Sequence, residues 1–195
     1  DEWGTWHPEA EGDTGLEQQN TMRDALVAAL HLNMFIRHAD KVVMTNIAQT
    51  VNVLQALILT QADKMLLTPT YHVFDMYKEH QGATLLESFI ETKPVGSGEN
   101  AVPNLHESVS VAQDGSINIT LCNLSINETY RIDTEIIGKK VSEIEGRILT
   151  GAFNDYNTFE TPEKVKPKNF EQISLTKNGL DIEIPPVSVI SLTVK

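Results

Sequence analysis

The hydrophobic period of this chain changes once, near residue 82, and that change limits it to an α/β segment followed by an all-β segment. Before the change, Met22, Leu26, Leu30 and Met34 recur every four residues, with Val27 and Ile36 widening the stripe, which predicts a helix from Thr21 to about His38. Thr21 followed by Asp24 supplies its start. Lys41-Val42-Val43-Met44 reads as a short buried strand, and Asn46 to Gln49 as a polar-tipped loop. Residues 51–59 are apolar and fit either a helix or a buried strand, with Leu54-Gln55-Ala56-Leu57 favouring helix on propensity. Thr68-Pro69 opens a further helix, with Thr68 as N-cap and proline at the first helical position, running through Phe74 and Tyr77 to a stop at Gly82.

After Gly82 the period is two, clearest where Ile117, Ile119 and Leu121 alternate with Asn118, Thr120 and Cys122. Further strands are expected at 83–91, 106–111, 129–137, 142–150, 172–176, 180–184 and 188–194, with turns at Asp114-Gly115 and Asn178-Gly179. Short strands at that spacing describe an antiparallel, jelly-roll-like β-sandwich. Residues 94–103 read as a loop and 164–168 as a solvated connection. The expected organisation is thus residues 1–82 as an α/β piece and 83–195 as a C-terminal β-sandwich domain.

Composition removes several function classes. A hydrophobic content of 41% against 22% charged residues is that of a folded chain with one or two small cores. A formal net charge of -12, with no Lys/Arg cluster, argues against nucleic acid as a partner. No apolar run approaches the roughly 20 residues that a membrane helix needs, so no membrane is expected as a partner either. The single cysteine, Cys122, rules out an internal disulfide framework and reads as a small core hydrophobe. The six histidines lack metal-ligand spacing, no glycine-rich phosphate loop follows a strand, and no serine occupies a Gly-x-Ser-x-Gly elbow; no metal and no cofactor are expected. Three glycosylation sequons begin at Asn118, Asn123 and Asn127, a triplet pattern that arises often by chance.

A strand ending in Asp1-Glu2-Trp3-Gly4, followed by a helix and another strand, has the organisation of a (β/α)₈ TIM barrel near its closing strands. In such barrels the chemistry sits at the C-terminal strand ends, which would put Glu2 and the 46–49 loop on one rim. A carboxylate beside Trp3 or Trp6 offers what sugar cleavage requires: a nucleophile for the anomeric carbon and an apolar wall for the ring. A lone glutamate or tryptophan at such a place is otherwise an ordinary surface or core residue.

Asp1-Glu2-Trp3-Gly4-Thr5-Trp6-His7 resembles the Asp-Glu-Trp-x-x-Trp nucleophile segment of the α-L-arabinofuranosidases of glycoside hydrolase family 51. Phe35-Ile36-Arg37-His38-Ala39-Asp40-Lys41-Val42 and Asn46-Ile47-Ala48-Gln49-Thr50-Val51-Asn52-Val53 continue the resemblance in order and at matching spacing. It is closest over residues 1 to about 60, looser through the second helix, and architectural in the sandwich. The resemblance implies a retaining mechanism in which Glu2 is the nucleophile, Gln49 hydrogen-bonds the bound arabinose and Trp6 lines the site, with Trp3 packing behind. His7 stands where some relatives carry tyrosine, which leaves its role open.

The family's acid/base is a glutamate after an asparagine on an upstream barrel strand. Asn127-Glu128 lies in the expected sandwich, so that role is unfilled. Retaining hydrolysis needs two carboxyl groups about 5–5.5 Å apart, and a whole barrel takes about 250 residues. The chain is therefore expected to be an incomplete catalytic unit: an excised domain, a proteolytic remnant or half of a split enzyme, inert alone and completed by a missing N-terminal catalytic portion. Its substrates would be arabinose-containing oligosaccharides of hemicellulose or pectin, and family members are commonly homo-oligomers. Compartment is not readable from these residues. Two other readings stay open: a related retaining endoglucanase fragment, and a non-catalytic structural or carbohydrate-binding sandwich.

Overall fold

The computed structural model describes residues 2–7 and 16–195; Asp1, at the head of the segment expected to carry the nucleophile, lies outside the described residues. It is mostly strand, with two helices. The elements run β1 (Glu2–Trp3), α1 (Met22–Arg37), β2 (Asn46–Ile47), β3 (Ile58–Gln61), β4 (Lys64–Leu67), α2 (Pro69–Tyr77), β5 (Thr84–Leu85), β6 (Pro94–Val95), β7 (Val102–Pro103) and β8 (Leu105–Val111). They continue β9 (Ile117–Asn123), β10 (Tyr130–Asp133), β11 (Ile144–Thr150), β12 (Lys168–Asn169), β13 (Ile173–Leu175), β14 (Leu180–Ile184) and β15 (Ser188–Val194).

Helix α1 starts where the sequence indicates, because Thr21 and Asp24 form a reciprocal capping box that satisfies the first free backbone donors. Its buried face is rotated from the expected stripe. Met22, Ala25, Leu26, Ala29 and Asn33 are buried, while Met34 is 43% exposed. Three buried alanines, Ala25, Ala28 and Ala29, let α1 approach its neighbours closely. Helix α2 begins with Thr68 as N-cap and Pro69 in the first turn, and a 3-10 turn at Lys78–His80 leads into Gly82 at φ 71°.

The main sheet has six strands in the order β12-β11-β15-β9-β8-β5, and its long pairs are antiparallel. One face, including Leu105, Leu121, Ile148, Ile190 and Leu192, shares a core with Leu180, Ile182 and Ile184 of the three-stranded sheet β10-β14-β13. The opposite face presents Cys122, Leu149 and Val189 to Met22, Ala25, Leu26 and Ala29 of α1 and Val73, Met76 and Tyr77 of α2. Alternation along β9 explains this double use, since successive side chains leave opposite faces of a strand and both faces are covered.

Several expectations are corrected. Residues 41–44 form no strand: Val43 is 96% and Met44 77% exposed, and the ladder partner of β1 is instead Asn46–Ile47, inside the segment read as loop. Residues 51–59 are not helical. Asn52 and Leu54 have φ of 61° and 49°, Gln55 turns inward, and Ile58 already belongs to the β3–β4 hairpin. The long strand expected at 83–91 reduces to Thr84–Leu85 paired with β8. Residues 94–103 contain a minimal hairpin of Pro94–Val95 with Val102–Pro103. The connection at 164–168 is not wholly solvated, because Asn157 bonds the backbone N–H and C=O of Val165 at 2.7 and 2.9 Å and turns that side chain into the core. The sequon residues Asn118 and Asn123 are buried, the latter donating to the carbonyls of Glu128, Ile184 and Pro185; Asn127 is exposed.

Candidate active site

Strands β1 and β2 run parallel, with Glu2 opposite Asn46 and Trp3 opposite Ile47. Side chains alternate along each strand, so Glu2 and Asn46 leave one face and Trp3 and Ile47 the other. The Trp3 face belongs to the helices: its ring stacks on His31 of α1 at 5.2 Å and Phe74 of α2 at 6.1 Å, and Phe35 meets it edge-on at 5.5 Å. The tryptophan thus anchors the strand from behind while the Glu2 side chain stays exposed on the opposite face.

Past β1, Gly4 takes φ 147°, a conformation that L side chains rarely adopt, and a Cβ there would sit 3.3 Å from Gln55 Oε1. Thr5 follows, then Trp6 with 68% of its surface exposed, then His7. Gln49 is exposed in the loop two residues beyond β2. The structure therefore brings Trp6 and Gln49 to segments that leave the same end of a parallel strand pair, with Glu2 on the face away from the helices.

Beneath this surface lies a buried polar cluster that sequence reasoning missed. Asp24 is fully buried; its Oδ1 accepts from Thr5 Oγ1 at 2.7 Å and lies 2.8 Å from His7 Nε2. Its Oδ2 accepts from the Thr21 N–H at 2.8 Å. Gln55, also fully buried, accepts from the Thr5 N–H at 2.8 Å and donates to the Asp24 carbonyl at 2.9 Å. Gln18 accepts from the His7 N–H at 2.9 Å. The available signal was a glutamine inside an apolar run, but propensity alone made it look helical.

Burial pushes the Cys122 thiol up to about 12, which keeps it an unreactive core group. Among the described residues no cluster of three or more His, Cys, Asp or Glu side chains could hold a metal ion. A hollow of about 740 Å³ opens between the end of α2 and the main sheet, lined in part by Asp75, His80, Arg147 and Phe170, and neither Glu2, Trp6 nor Gln49 borders it. Among the described residues no helix is long and apolar enough to cross a membrane.

Residues 1–188 match the α-L-arabinofuranosidase C-terminal domain. The chain belongs to this family. An intracellular exo-α-L-arabinofuranosidase of Bacteroides ovatus is 42% identical over 98% of the chain. The chain spans only 38% of that relative's length. The crystal structure of the family 51 arabinofuranosidase of Xanthomonas axonopodis superimposes on all of the chain with a TM-score of 0.96 at 41% identity; 40% of that protein is covered. An α-L-arabinofuranosidase of Thermotoga maritima, solved as an arabinose complex, also matches the whole chain, with a TM-score of 0.84 at 25% identity and 42% of its own length covered. The matched span thus takes in α1, α2 and the strands up to β14, and ends at Ser188, the first residue of β15.

Proposed function

We propose that this chain carries the nucleophile and part of the sugar site of a retaining exo-α-L-arabinofuranosidase, which releases terminal α-L-arabinofuranosyl residues from hemicellulose and pectin oligosaccharides. The observation that carries the reading is the parallel β1–β2 pair, which turns Trp3 towards the helices and Glu2 away from them. Strand-helix-strand order with both helices behind one strand face supports reading residues 1–82 as the closing part of a (β/α)₈ barrel, with a jelly-roll-like sandwich at 83–195 bracing it. Family membership and the 42% identical exo-acting relative support the substrate class.

In this mechanism the Glu2 carboxylate attacks the anomeric carbon, and a second carboxyl group protonates the departing glycosidic oxygen. Water, deprotonated by that second group, then releases the sugar from Glu2 with net retention. Trp6 supplies the wall against the furanose ring, and Gln49 hydrogen-bonds its hydroxyl groups. In this reading the second carboxyl is supplied from outside this chain, which spans 38% of the exo-acting relative's length, and the chain alone does not turn over.

The test uses the full-length enzyme with 4-nitrophenyl α-L-arabinofuranoside. Glu2→Gln should lose several orders of magnitude in kcat. Glu2→Ala with added azide should yield the β-configured arabinosyl azide, because azide enters from the face that Glu2 vacates. An active Glu2→Gln enzyme would refute the assignment.

A further inference from the structure

We infer that Thr5-Trp6-His7 is a preorganised clamp, in which buried Asp24, Gln55 and Gln18 hold the exposed Trp6 ring in its sugar-facing position. His7 is therefore a positioning residue for substrate binding. The inference rests on the assignment of Glu2 and Trp6 to the active site given above.

The argument begins with the backbone. The N–H groups on either side of Trp6, those of Thr5 and His7, are both taken by side chains, the first by Gln55 at 2.8 Å and the second by Gln18 at 2.9 Å. The flanking side chains converge on one carboxylate oxygen: Thr5 Oγ1 and His7 Nε2 meet Asp24 Oδ1 at 2.7 and 2.8 Å. Trp6 is thus pinned at both neighbours while its own ring is 68% exposed.

The anchors are themselves buried and hydrogen-bonded. Gln18 is 7% exposed, Asn20 1%, and Asp24 and Gln55 not at all. Asp24 is tied to the Thr21 N–H at the start of α1, and Gln55 to the Asp24 carbonyl and, at 3.4 Å, to Thr70 at the start of α2. Asn20 donates to the carbonyls of Leu54 and Ala56, fixing the turn that carries Gln55. Taking this many polar groups out of water costs free energy unless each finds a partner, and the partners chosen here are the Trp6 flanks and the two helix starts. A core that needed only stability would fill the same space with apolar side chains. A ring held in place before the sugar arrives loses less freedom on binding, so the clamp acts on affinity.

The full-length enzyme tests this through His7→Phe, which keeps a ring but removes the bond to Asp24, and through His7→Gln, whose amide N–H can restore it. His7→Phe should raise KM about tenfold while kcat stays within about twofold, and the unfolding midpoint should fall by only about a few degrees because Asp24 keeps Thr5 and the Thr21 N–H as partners. His7→Gln should recover most of the affinity. In a Trp6→Ala enzyme His7→Phe should add nothing further, because both act through one ring. Thr5→Val, which cuts the bond on the other side of Trp6, should give the same KM signature and stands in should His7→Phe fail to fold. An unchanged KM in His7→Phe, or an undiminished effect in the Trp6→Ala background, overturns the clamp. Glu2→Gln is run alongside: if it is inactive and His7→Phe is silent, only the clamp fails, whereas an active Glu2→Gln enzyme removes the site assignment and the clamp's role with it.

Discussion

Replacing Asn33 by leucine should loosen the seam between α1 and the main sheet by an amount that can be worked from its bonds. Asn33 is fully buried on α1; its Oδ1 accepts from Ser108 Oγ and Thr120 Oγ1, both at 2.8 Å, and its Nδ2 donates to the His106 carbonyl at 3.2 Å. Leucine leaves two hydroxyl donors and one carbonyl behind, each worth about 1–3 kcal/mol if nothing replaces the partner. The hydroxyls are not wholly stranded, since Ser108 and Thr120 lie 2.8 Å apart and His80 Nε2 is 3.1 Å from Thr120. The added apolar contact of leucine offsets a further part. The net loss is therefore about 2–3 kcal/mol, which in a chain of this size lowers the unfolding midpoint by roughly 4–12 °C. Urea and thermal unfolding followed by circular dichroism would measure it. A loss below about 0.5 kcal/mol would refute the argument that this polar seam, rather than apolar packing alone, registers the helix on the sheet.

Gly179 turns β13 into β14, and a Cβ there would overlap the Thr134 carbonyl oxygen and lie 2.7 Å from its carbon, so Gly179→Ala should cost about 3 kcal/mol; a loss under 1 kcal/mol in urea unfolding would show that the turn can shift. Burial holds His80 down to about 4, with Ser110 and Thr120 against its two ring nitrogens, and burial also lowers His72 and His106. The unfolded chain then binds more protons than the folded one between about pH 6.5 and 4, so stability is lost as pH falls through that window, by on the order of 2–3 kcal/mol for His80. His80→Gln should flatten the slope of urea midpoints over this range, and an unchanged slope would place the proton uptake elsewhere.

The elements legible in the sequence are those whose signal is local. The Thr21/Asp24 pair and Thr68-Pro69 satisfy backbone donors within one turn, so both helix starts fall where the residues put them. Leu180–Ile184 alternates strictly, Ser188–Val194 alternates from Ile190 onward, and both form strands with the expected bounds. The 1–7 segment, the 35–42 segment and the 46–53 segment identify the family because three ordered motifs constrain identity more than any one of them, and residues 1–188 match it.

What the sequence left open depended on partners far away in the chain. Residues 41–44 have the composition of a strand but no ladder to join, and Val43 stays exposed. Residues 51–59 have helical propensity, yet Gln55 is drawn inward by Thr5, 50 residues away, and by the Asp24 carbonyl, which outweighs propensity differences of less than about 1 kcal/mol per residue. Asn33 and Val165 are buried by the same logic, through bonds to β8 and β9 in one case and to Asn157 in the other. The sequence by itself determined the family, the helix starts and the strand alternation, because those follow from neighbours within a few residues. Only the tertiary structure decided which polar groups lie buried beneath Trp6, because a buried polar group goes where its hydrogen-bond partners are, and these come from three separate segments of the chain.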